Sequence, residues 1–241
     1  MLSFNQYVRA QSLEEAYTLC QKKSNVVLGG MLWLKMQKKN AGTAIDLCDL
    51  GLDQIEESEE EYRIGAMVSL RTLENHAGLN ALTQGAMAEA VKHIVGVQFR
   101  NLATAGGSIY GRFGFSDVMT LFMALDAKVE LYHAGVMEIR EFAGFSRTNR
   151  DILTYIIIPK TSRKTVYLSM RNTETDFPVL TCAVSVLDGR YSCVVGARPA
   201  LAQVYEDEKN LLAHGDTAES AAAFCFQGGV CGKYERQRCI P

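Results

Sequence analysis

Residues 100–117 read RNLATAGGSIYGRFGFSD, and this stretch decides how the rest of the chain is interpreted. A glycine pair, Gly106-Gly107, follows small polar residues, and an isolated carboxylate, Asp117, comes shortly afterwards. Glycines let backbone N–H groups approach an anion without a Cβ in the way, and successive N–H groups in a tight turn form a concave set of donors. A carboxylate cannot help to bind phosphate, but it can accept hydrogen bonds from ribose hydroxyls. The stretch therefore indicates a nucleotide-binding site.

A second glycine pair, Gly29-Gly30, follows the strand-like run Asn25–Leu28. Two such loops could clamp one pyrophosphate between them. Neither loop has the spacing G-x-G-x-x-G or G-x-x-x-x-G-K-[ST], so a Rossmann or P-loop site is not indicated. Each feature also has an ordinary structural interpretation. A glycine pair is usually a turn, Asp117 is equally suited to cap a helix, and a lone tryptophan such as Trp33 is more often a core residue than a surface for stacking.

The composition is that of an ordinary globular protein, with 241 residues, 48% of them hydrophobic and 22% charged, and a formal net charge of −2. So small a charge argues against a nucleic-acid surface as the main partner. No apolar run reaches membrane-spanning length, and the first ten residues lack a basic start followed by an apolar stretch. We therefore expect a cytoplasmic protein with neither a nucleic-acid nor a membrane partner.

The sequence contains no motif for a metal site or a catalytic nucleophile. Its seven cysteines have no C-x-x-C spacing, which fits neither a disulfide framework nor a zinc or iron–sulfur site made by this chain alone. The four histidines are far apart in the sequence. Ser116 lacks the second glycine of a nucleophile elbow. We predict no catalytic residue and no metal ligand.

Periodicity predicts a compact β-turn-α-β unit near the N-terminus. The capping box Ser12-Leu-Glu-Glu15 begins a helix that we expect to end near Lys23. A possible helix over Leu32–Lys38 then separates the strand-like runs Asn25–Leu28 and Ala44–Leu47. The elements expected next are helices over Ala81–Ile94 and Val118–Leu125 and strands over Tyr62–Gly65 and Lys128–Tyr132.

Beyond Asp151 the chain is predicted to be mostly strands. These are Ile152–Ile158, Thr165–Met170, Val179–Leu187 and Tyr191–Val195, with a hairpin turn at Asp188-Gly189. The polar, basic segment Pro159–Lys164 is a plausible boundary between a first domain over residues 1–160 and a smaller antiparallel α+β domain over residues 161–241. Tyr234–Pro241 has the charge of a helix start yet stops at proline, so we expect a terminal helix that is cut short.

Three stretches together resemble a known family. Val27–Met36, Gln98–Ile109, and Ser116-Asp117 leading to Ala124–Ala127 are similar to the FAD-binding subunit of molybdenum hydroxylases. That family includes the medium subunits of xanthine dehydrogenase and of aerobic carbon monoxide dehydrogenase, and the likeness spans essentially the whole chain. It implies an α+β fold in which residues 1–160 form a two-subdomain FAD-binding domain of the PCMH (vanillyl-alcohol oxidase-like) type. Residues 161–241 would then form the small antiparallel α+β C-terminal domain.

The resemblance also implies which residues bind the cofactor. Asp117 would contact the adenosine side of FAD, and Ile94 and Leu153 would line the cofactor. The FAD pyrophosphate would be wrapped by a first loop of Val27, Leu28, Gly29, Gly30, Met31, Leu32, Trp33 and Leu34, and by a second loop of Thr104, Ala105, Gly106, Gly107 and Ser108.

The function that the resemblance implies is electron transfer from the complex to an acceptor. A molybdopterin-binding large subunit would oxidise the substrate, and a small subunit with [2Fe-2S] clusters would relay single electrons. This chain's FAD would pass them to NAD or to another acceptor, because flavin can take electrons singly and release them as a pair. Complete activity would therefore require the partner subunits.

The sequence departs from the family pattern at three positions. Met31 and Leu32 stand where a threonine and an acidic residue are usual, and Leu168 stands where some members carry a lysine near the flavin. These departures leave open an assembly or scaffold subunit that keeps the fold but binds little flavin. A flavin oxidase of the related covalent-flavin group is disfavoured, because the chain lacks a credible flavin-linking histidine near the loops and a large substrate domain.

Overall fold

The structure is a computed structural model that describes residues 2–146, 148–197, 201–212, 220, 223 and 224. The strands are, in chain order, β1 Ser3–Arg9, β2 Val26–Leu28, β3 Asn40–Asp46, β4 Ile55–Glu57, β5 Glu61–Gly65, β6 Lys128–Leu131, β7 Gly135–Glu138, β8 Leu153–Pro159, β9 Lys164–Met170, β10 Leu180–Leu187, β11 Arg190–Gly196 and β12 Gln203–Glu206. The helices are α1 Leu13–Cys20, α2 Leu70–Asn75, α3 Ala77–Leu82, α4 Ala86–Lys92, α5 Val97–Leu102, α6 Ala105–Tyr110, α7 Asp117–Ala124 and α8 Ile139–Gly144. The mixed α+β fold expected from the sequence is confirmed.

The N-terminal sheet is parallel and has the order β1-β3-β2. Helix α1 begins as the capping box predicts, because the Ser12 side chain accepts the Glu15 N–H at 3.1 Å. It ends at Cys20, before the expected end near Lys23. The helix expected over Leu32–Lys38 is wrong, since only one 3₁₀ turn forms there, over Leu34–Met36. Strand β2 therefore runs directly into an irregular glycine loop.

The central sheet is antiparallel and has the order β4-β5-β8-β6-β7. Helices α2, α4, α6 and α7 share its hydrophobic core, in which Leu70, Met87, Ile109 and Phe122 are fully buried. The single helix expected over Ala81–Ile94 is instead α3 and α4. Positive φ angles at Gln84 (51°) and Gly85 (85°) break it, because a left-handed residue cannot continue a right-handed helix.

The third sheet is antiparallel and has the order β12-β11-β10-β9. The predicted hairpin turn is confirmed, with φ of 51° at Asp188 and 76° at Gly189, as a two-residue turn with left-handed central residues requires. Ala183 and Val194 of this sheet lie in the same core as α7, and the Thr120 and Thr181 hydroxyls are 2.9 Å apart.

The third sheet thus packs directly on the helix that begins at Asp117. The division of the chain at Pro159–Lys164 stays a prediction. The terminal helix expected over Tyr234–Pro241 lies outside the described residues. In the described part of the chain, every helix is too short or too polar to cross a membrane.

Candidate functional site

A cavity of about 620 Å³ lies where the three sheets meet. Its volume is in the range of small-molecule and cofactor sites. Every residue that the resemblance assigns to FAD binding lines this cavity except Ala105. Ala105 is fully buried beneath the second loop, and its N–H donates to the Val68 carbonyl at 2.8 Å. The structure therefore brings together positions from 27 to 153 that are far apart in the sequence.

The first and second loops are in direct contact. A Cβ added at Gly29 would lie 2.9 Å from Thr104 Oγ1, and one added at Gly30 would lie 1.8 Å from the Leu102 carbonyl oxygen. The second distance is impossible for real atoms, so this approach of two backbones requires glycine at position 30. Gly107 lies next to the same contact, 3.8 Å from the position of a Gly29 Cβ.

The two loops differ in the donors that they offer to an anion. In the second loop, the N–H groups of Ala105, Gly106 and Gly107 donate to Val68, to Ala66 and to the Thr104 hydroxyl. In the first loop, the N–H groups of residues 29–34 have no acceptor within the part of the chain that the structure describes. Met31 there has a φ of 61°, which turns the backbone sharply. The first loop is thus the set of open donors, and the second loop is the glycine surface against which an anion can rest.

Asp117 is the first residue of α7, the helix that follows α6 in the chain. Its side chain is buried, and the residue is only 4% exposed. The helix cap that was the alternative role for Asp117 belongs to Ser116, whose hydroxyl accepts the Met119 N–H at 3.2 Å. Asp117 is instead the first helical residue, and its Oδ1 accepts from the Tyr167 hydroxyl at 2.6 Å and from the Arg171 guanidinium. Because both donors bond to Oδ1, Oδ2 remains the oxygen that can accept from a ribose hydroxyl.

Burial determines the electrostatics around Asp117. It raises the pKa of Asp117, although hydrogen bonds from Tyr167 and Arg171 act in the opposite direction. Burial and the neighbouring carboxyl also raise the pKa of Tyr167 far above its ordinary value. The Tyr167 hydroxyl therefore keeps its proton and acts as a donor.

Arg171 is a cavity-lining residue that the sequence did not indicate. It is the only cation among the cavity-lining residues that the structure describes. Besides Asp117, it donates to the Asp176 carbonyl, which fixes the segment between β9 and β10 over the cavity. Arginine is common in ion pairs, so its presence in the sequence is not a signal. What sets Arg171 apart is its contact with Asp117, which is 54 residues away in the sequence.

Aromatic rings line one side of the cavity. The Trp33 ring lies 5.6 Å from Phe99 and 5.2 Å from Phe177, and Phe115 lies 4.6 Å from Phe177, measured between ring centroids. Trp33 is 40% exposed and Phe177 is 54% exposed, so these rings are not ordinary core residues. They form a face on which a planar ring could stack. Of this cluster, the sequence indicated only Trp33.

A strained turn carries Ile94 into the cavity. Val95 has a φ of 52°, which is a genuine outlier for a β-branched residue. The preceding carbonyl, that of Ile94, accepts from Arg100 at 3.3 Å, and Arg100 is held by both carboxyl oxygens of Glu74 at 2.7 and 3.2 Å. This buried ion pair fixes the position of the turn.

Of the positions that depart from the family pattern, Leu168 does not line the cavity. It lies on β9, is 66% exposed and pairs with Cys182 in the third sheet. Its side chain is therefore on the sheet face away from α7. Met31 and Leu32 do line the cavity.

Comparison with known proteins supports the same identification. Residues 2–161 match the family described as the FAD binding domain in molybdopterin dehydrogenase. The nicotine 6-hydroxylase medium subunit of Paenarthrobacter nicotinovorans is 26% identical, over 93% of this chain and 85% of that protein. The uncharacterized protein YgfM of Escherichia coli (strain K12) is also 26% identical, over 90% of this chain and 84% of that protein.

A solved structure shares the fold. Carbon monoxide dehydrogenase from Hydrogenophaga pseudoflava matches with a TM-score of 0.82 at 21% identity, covering 94% of this chain and 86% of that chain. The family match covers well over half of the sequence and confirms the resemblance seen in its motifs. This chain therefore belongs to the family of FAD-binding domains of molybdopterin dehydrogenases, whose cofactor is FAD.

Proposed function

We propose that the chain is the FAD-binding electron-transfer subunit of a cytoplasmic molybdenum hydroxylase complex of the xanthine dehydrogenase type. The observation that carries this proposal is the contact between the two glycine loops at one cavity, where six successive N–H groups, those of residues 29–34, have no acceptor in the described chain. FAD supplies the chemistry that connects one-electron donors to a two-electron acceptor such as NAD.

The chain's own residues bind and orient the cofactor. The first loop donates backbone N–H groups to the pyrophosphate, and Gly107 lets the second loop approach it closely. Asp117 accepts from the ribose through Oδ2, while Arg171 and Tyr167 hold its Oδ1 in place. The backbone supplies most of these contacts, so apolar side chains at Met31 and Leu32 are compatible with binding.

The remaining redox groups belong to partners in this proposal. No group of three or more metal-ligating side chains occurs among the described residues. A small [2Fe-2S] subunit and a molybdopterin-binding large subunit would supply the clusters and the substrate site. The nicotine 6-hydroxylase relative is named as a medium subunit, which supports an assembly of this kind.

The test is FAD binding by the full-length chain with and without an altered loop contact. Gly30→Ala places a Cβ against the Leu102 carbonyl, so we expect FAD affinity to fall at least about 10-fold, or about 1.4 kcal/mol. The matched control is Gly144→Ala, because a Cβ at Gly144 meets nothing within 4 Å. The readouts are the flavin absorbance spectrum, release of FAD on denaturation, and titration of added FAD.

A scaffold subunit that binds little flavin predicts a different result. It would bind its partner subunits stably while wild-type and Gly30→Ala proteins both remained colourless with added FAD. That outcome, in a protein with a cooperative unfolding transition, would overturn the proposal.

A further inference from the structure

Two cysteines of the third sheet lie side by side. Cys182 on β10 and Cys193 on β11 have their Sγ atoms 3.5 Å apart. The strand register pairs Cys182 with Val195 and Cys193 with Val184, so the two cysteines are diagonal neighbours on one face of the sheet. Ala183 and Val194, which alternate with them, lie in the core that includes α7. The dithiol thus occupies the opposite face and is separate from the cofactor cavity.

The two thiols have different environments. Cys193 is 5% exposed, whereas Cys182 is partly exposed. The hydrogen bond with Cys193 lowers the pKa of the Cys182 thiol, although burial opposes this. The more accessible sulfur is therefore also the one that more readily becomes a thiolate, which is the nucleophilic form.

We propose that Cys182 and Cys193 are a redox-active dithiol that low-molecular-weight disulfides oxidise, with Cys182 as the attacking cysteine and Cys193 as the resolving one. The Cys182 thiolate attacks one sulfur of the small disulfide, forms a mixed disulfide and releases one small thiol. Cys193 then gives up its proton and attacks the Cys182 sulfur, which releases the second small thiol. Two protein thiols are oxidised and one small disulfide is reduced to two thiols, so atoms and electrons balance.

Strand pairing favours the second step. Residues 181–187 are already paired with residues 190–196, so the two sulfurs are held close together before oxidation. The sulfurs must approach from 3.5 Å to about 2.05 Å, and because diagonal Cα atoms in such a pair lie about 7–8 Å apart, a small shift of β10 against β11 accompanies the side-chain rotation. Resolution by Cys193 should therefore outrun a second encounter with the small disulfide.

Two other cysteines in the described chain provide internal controls. Cys20 is buried, and burial raises the pKa of its thiol. Cys48 is exposed, but partial desolvation and the hydrogen bond to Asp46 raise the pKa of its thiol against the opposing effect of Arg9. Within the described residues, neither thiol contacts a second cysteine. A reaction governed by exposure alone would select Cys48, whereas the proposal selects Cys182.

The test uses the reduced full-length protein, oxidised glutathione as the probe, alkylation to stop the reaction, and peptide mapping by mass spectrometry. We expect a Cys182–Cys193 disulfide in the wild type. Cys193→Ser should instead accumulate a glutathione adduct at Cys182, and Cys182→Ser should slow modification of Cys193 at least 10-fold. If a serine variant does not fold, the wild-type time course still decides, because the Cys182 adduct must precede the disulfide.

Several results would overturn the proposal. These are a disulfide between Cys182 and any other cysteine, a first adduct at Cys193, or a modified Cys48 while both sheet cysteines remain alkylatable.

Discussion

Asp117 combines two demands that conflict at the level of a single residue. In the proposed role it accepts from a ribose as a carboxylate, yet it is almost completely buried. Burial raises its pKa, and Arg171 and Tyr167 oppose this by donating to one of its oxygens. A buried charge is tolerated only with such partners, so the carboxylate, the guanidinium and the hydroxyl act as one unit.

Asp117→Asn should therefore destabilise the protein even without cofactor. The change leaves the Arg171 guanidinium buried without its counter-charge, so we expect a loss of about 3 kcal/mol in the free energy of unfolding. Urea unfolding at pH 7 measures it. The control is Glu89→Gln, which removes an exposed ion pair with Lys92 and should change the free energy by less than about 0.5 kcal/mol. Equal effects of the two substitutions would show that burial of the Asp117 pair does not matter.

Glu74 gives a prediction about pH. Burial tends to raise the pKa of its carboxyl, but hydrogen bonds from Arg100 and Arg71 outweigh burial, and the pKa lies below its ordinary value. A carboxyl whose pKa is lowered in the folded state adds stability above its unfolded pKa, near 4.3, and that stability is lost as the pH falls through the folded pKa.

Glu74→Gln should consequently cost about 3 kcal/mol at pH 7, because Arg100 is left buried without a counter-charge. The difference from wild type should shrink steadily as the pH falls below about 4.3, because the unfolded wild-type carboxyl then binds a proton while the folded one stays charged until the pH reaches its lower pKa. Urea midpoints measured from pH 7 to pH 3 would show this. A difference independent of pH would mean that the loss comes from packing and not from charge.

At the scale of elements, the start of α6 is both a helix cap and part of the cavity wall. The Thr104 hydroxyl caps this helix by accepting the Gly107 N–H at 3.1 Å, and it also touches Gly29 of the first loop. Ser12 caps α1 in the same way but does not line the cavity. A comparison of the two caps can therefore distinguish an effect on stability from an effect on FAD binding.

Thr104→Ala and Ser12→Ala should each reduce stability by about 1 kcal/mol, as the loss of a helix cap usually does. Only Thr104→Ala should also weaken FAD binding, because it removes the side chain through which the second loop contacts Gly29 of the first loop. Thermal unfolding and FAD titration of both variants measure the two effects. If Ser12→Ala weakened FAD binding equally, the effect of the Thr104 cap would be no more than a general loss of stability.

Elements with a strong local signal were predictable from the sequence, and those decided by backbone strain were not. The capping box at Ser12 and the turn at Asp188-Gly189 carry their own chemistry, so α1 and the β10–β11 hairpin were found. The alanine-rich run Ala81–Ile94 is helix-compatible, and the break signal inside it, the single glycine Gly85 beside Gln84, is weak because one glycine is tolerated within a helix. The glycine loops were visible in the sequence. Arg171 was not, because its place in the cavity depends on pairing across the third sheet.

For the whole molecule, the decisive feature is that the third sheet closes the cavity formed by the first two. Its β9–β10 segment brings Phe177 to within 5.2 Å of Trp33, which stands in the first loop. On the other side, Thr181 bonds to Thr120 of α7. The third sheet therefore contacts the first loop at Trp33 and helix α7 at Thr120. Because of these contacts, we expect the two predicted domains to unfold together.

Gly196→Ala tests this coupling from a residue that does not line the cavity. A Cβ at Gly196 would lie 2.4 Å from both the Thr120 and the Thr181 hydroxyl oxygens, so the third sheet must shift on α7. Overpacking of this kind costs about 1–3 kcal/mol. Trp33 is the only tryptophan of the chain, so its fluorescence reports on the first loop while far-UV circular dichroism reports on all elements.

The fluorescence and circular dichroism signals should show one coincident urea transition, because unfolding is all-or-none when the parts share a core. Gly196→Ala should shift the midpoint of that transition by the same amount in both signals. Gly144→Ala, where the added Cβ meets nothing, should leave both midpoints nearly unchanged. If Gly196→Ala moved part of the circular dichroism signal and left the Trp33 transition in place, the third sheet would be an independent unit, and the cavity would be stable without its cover.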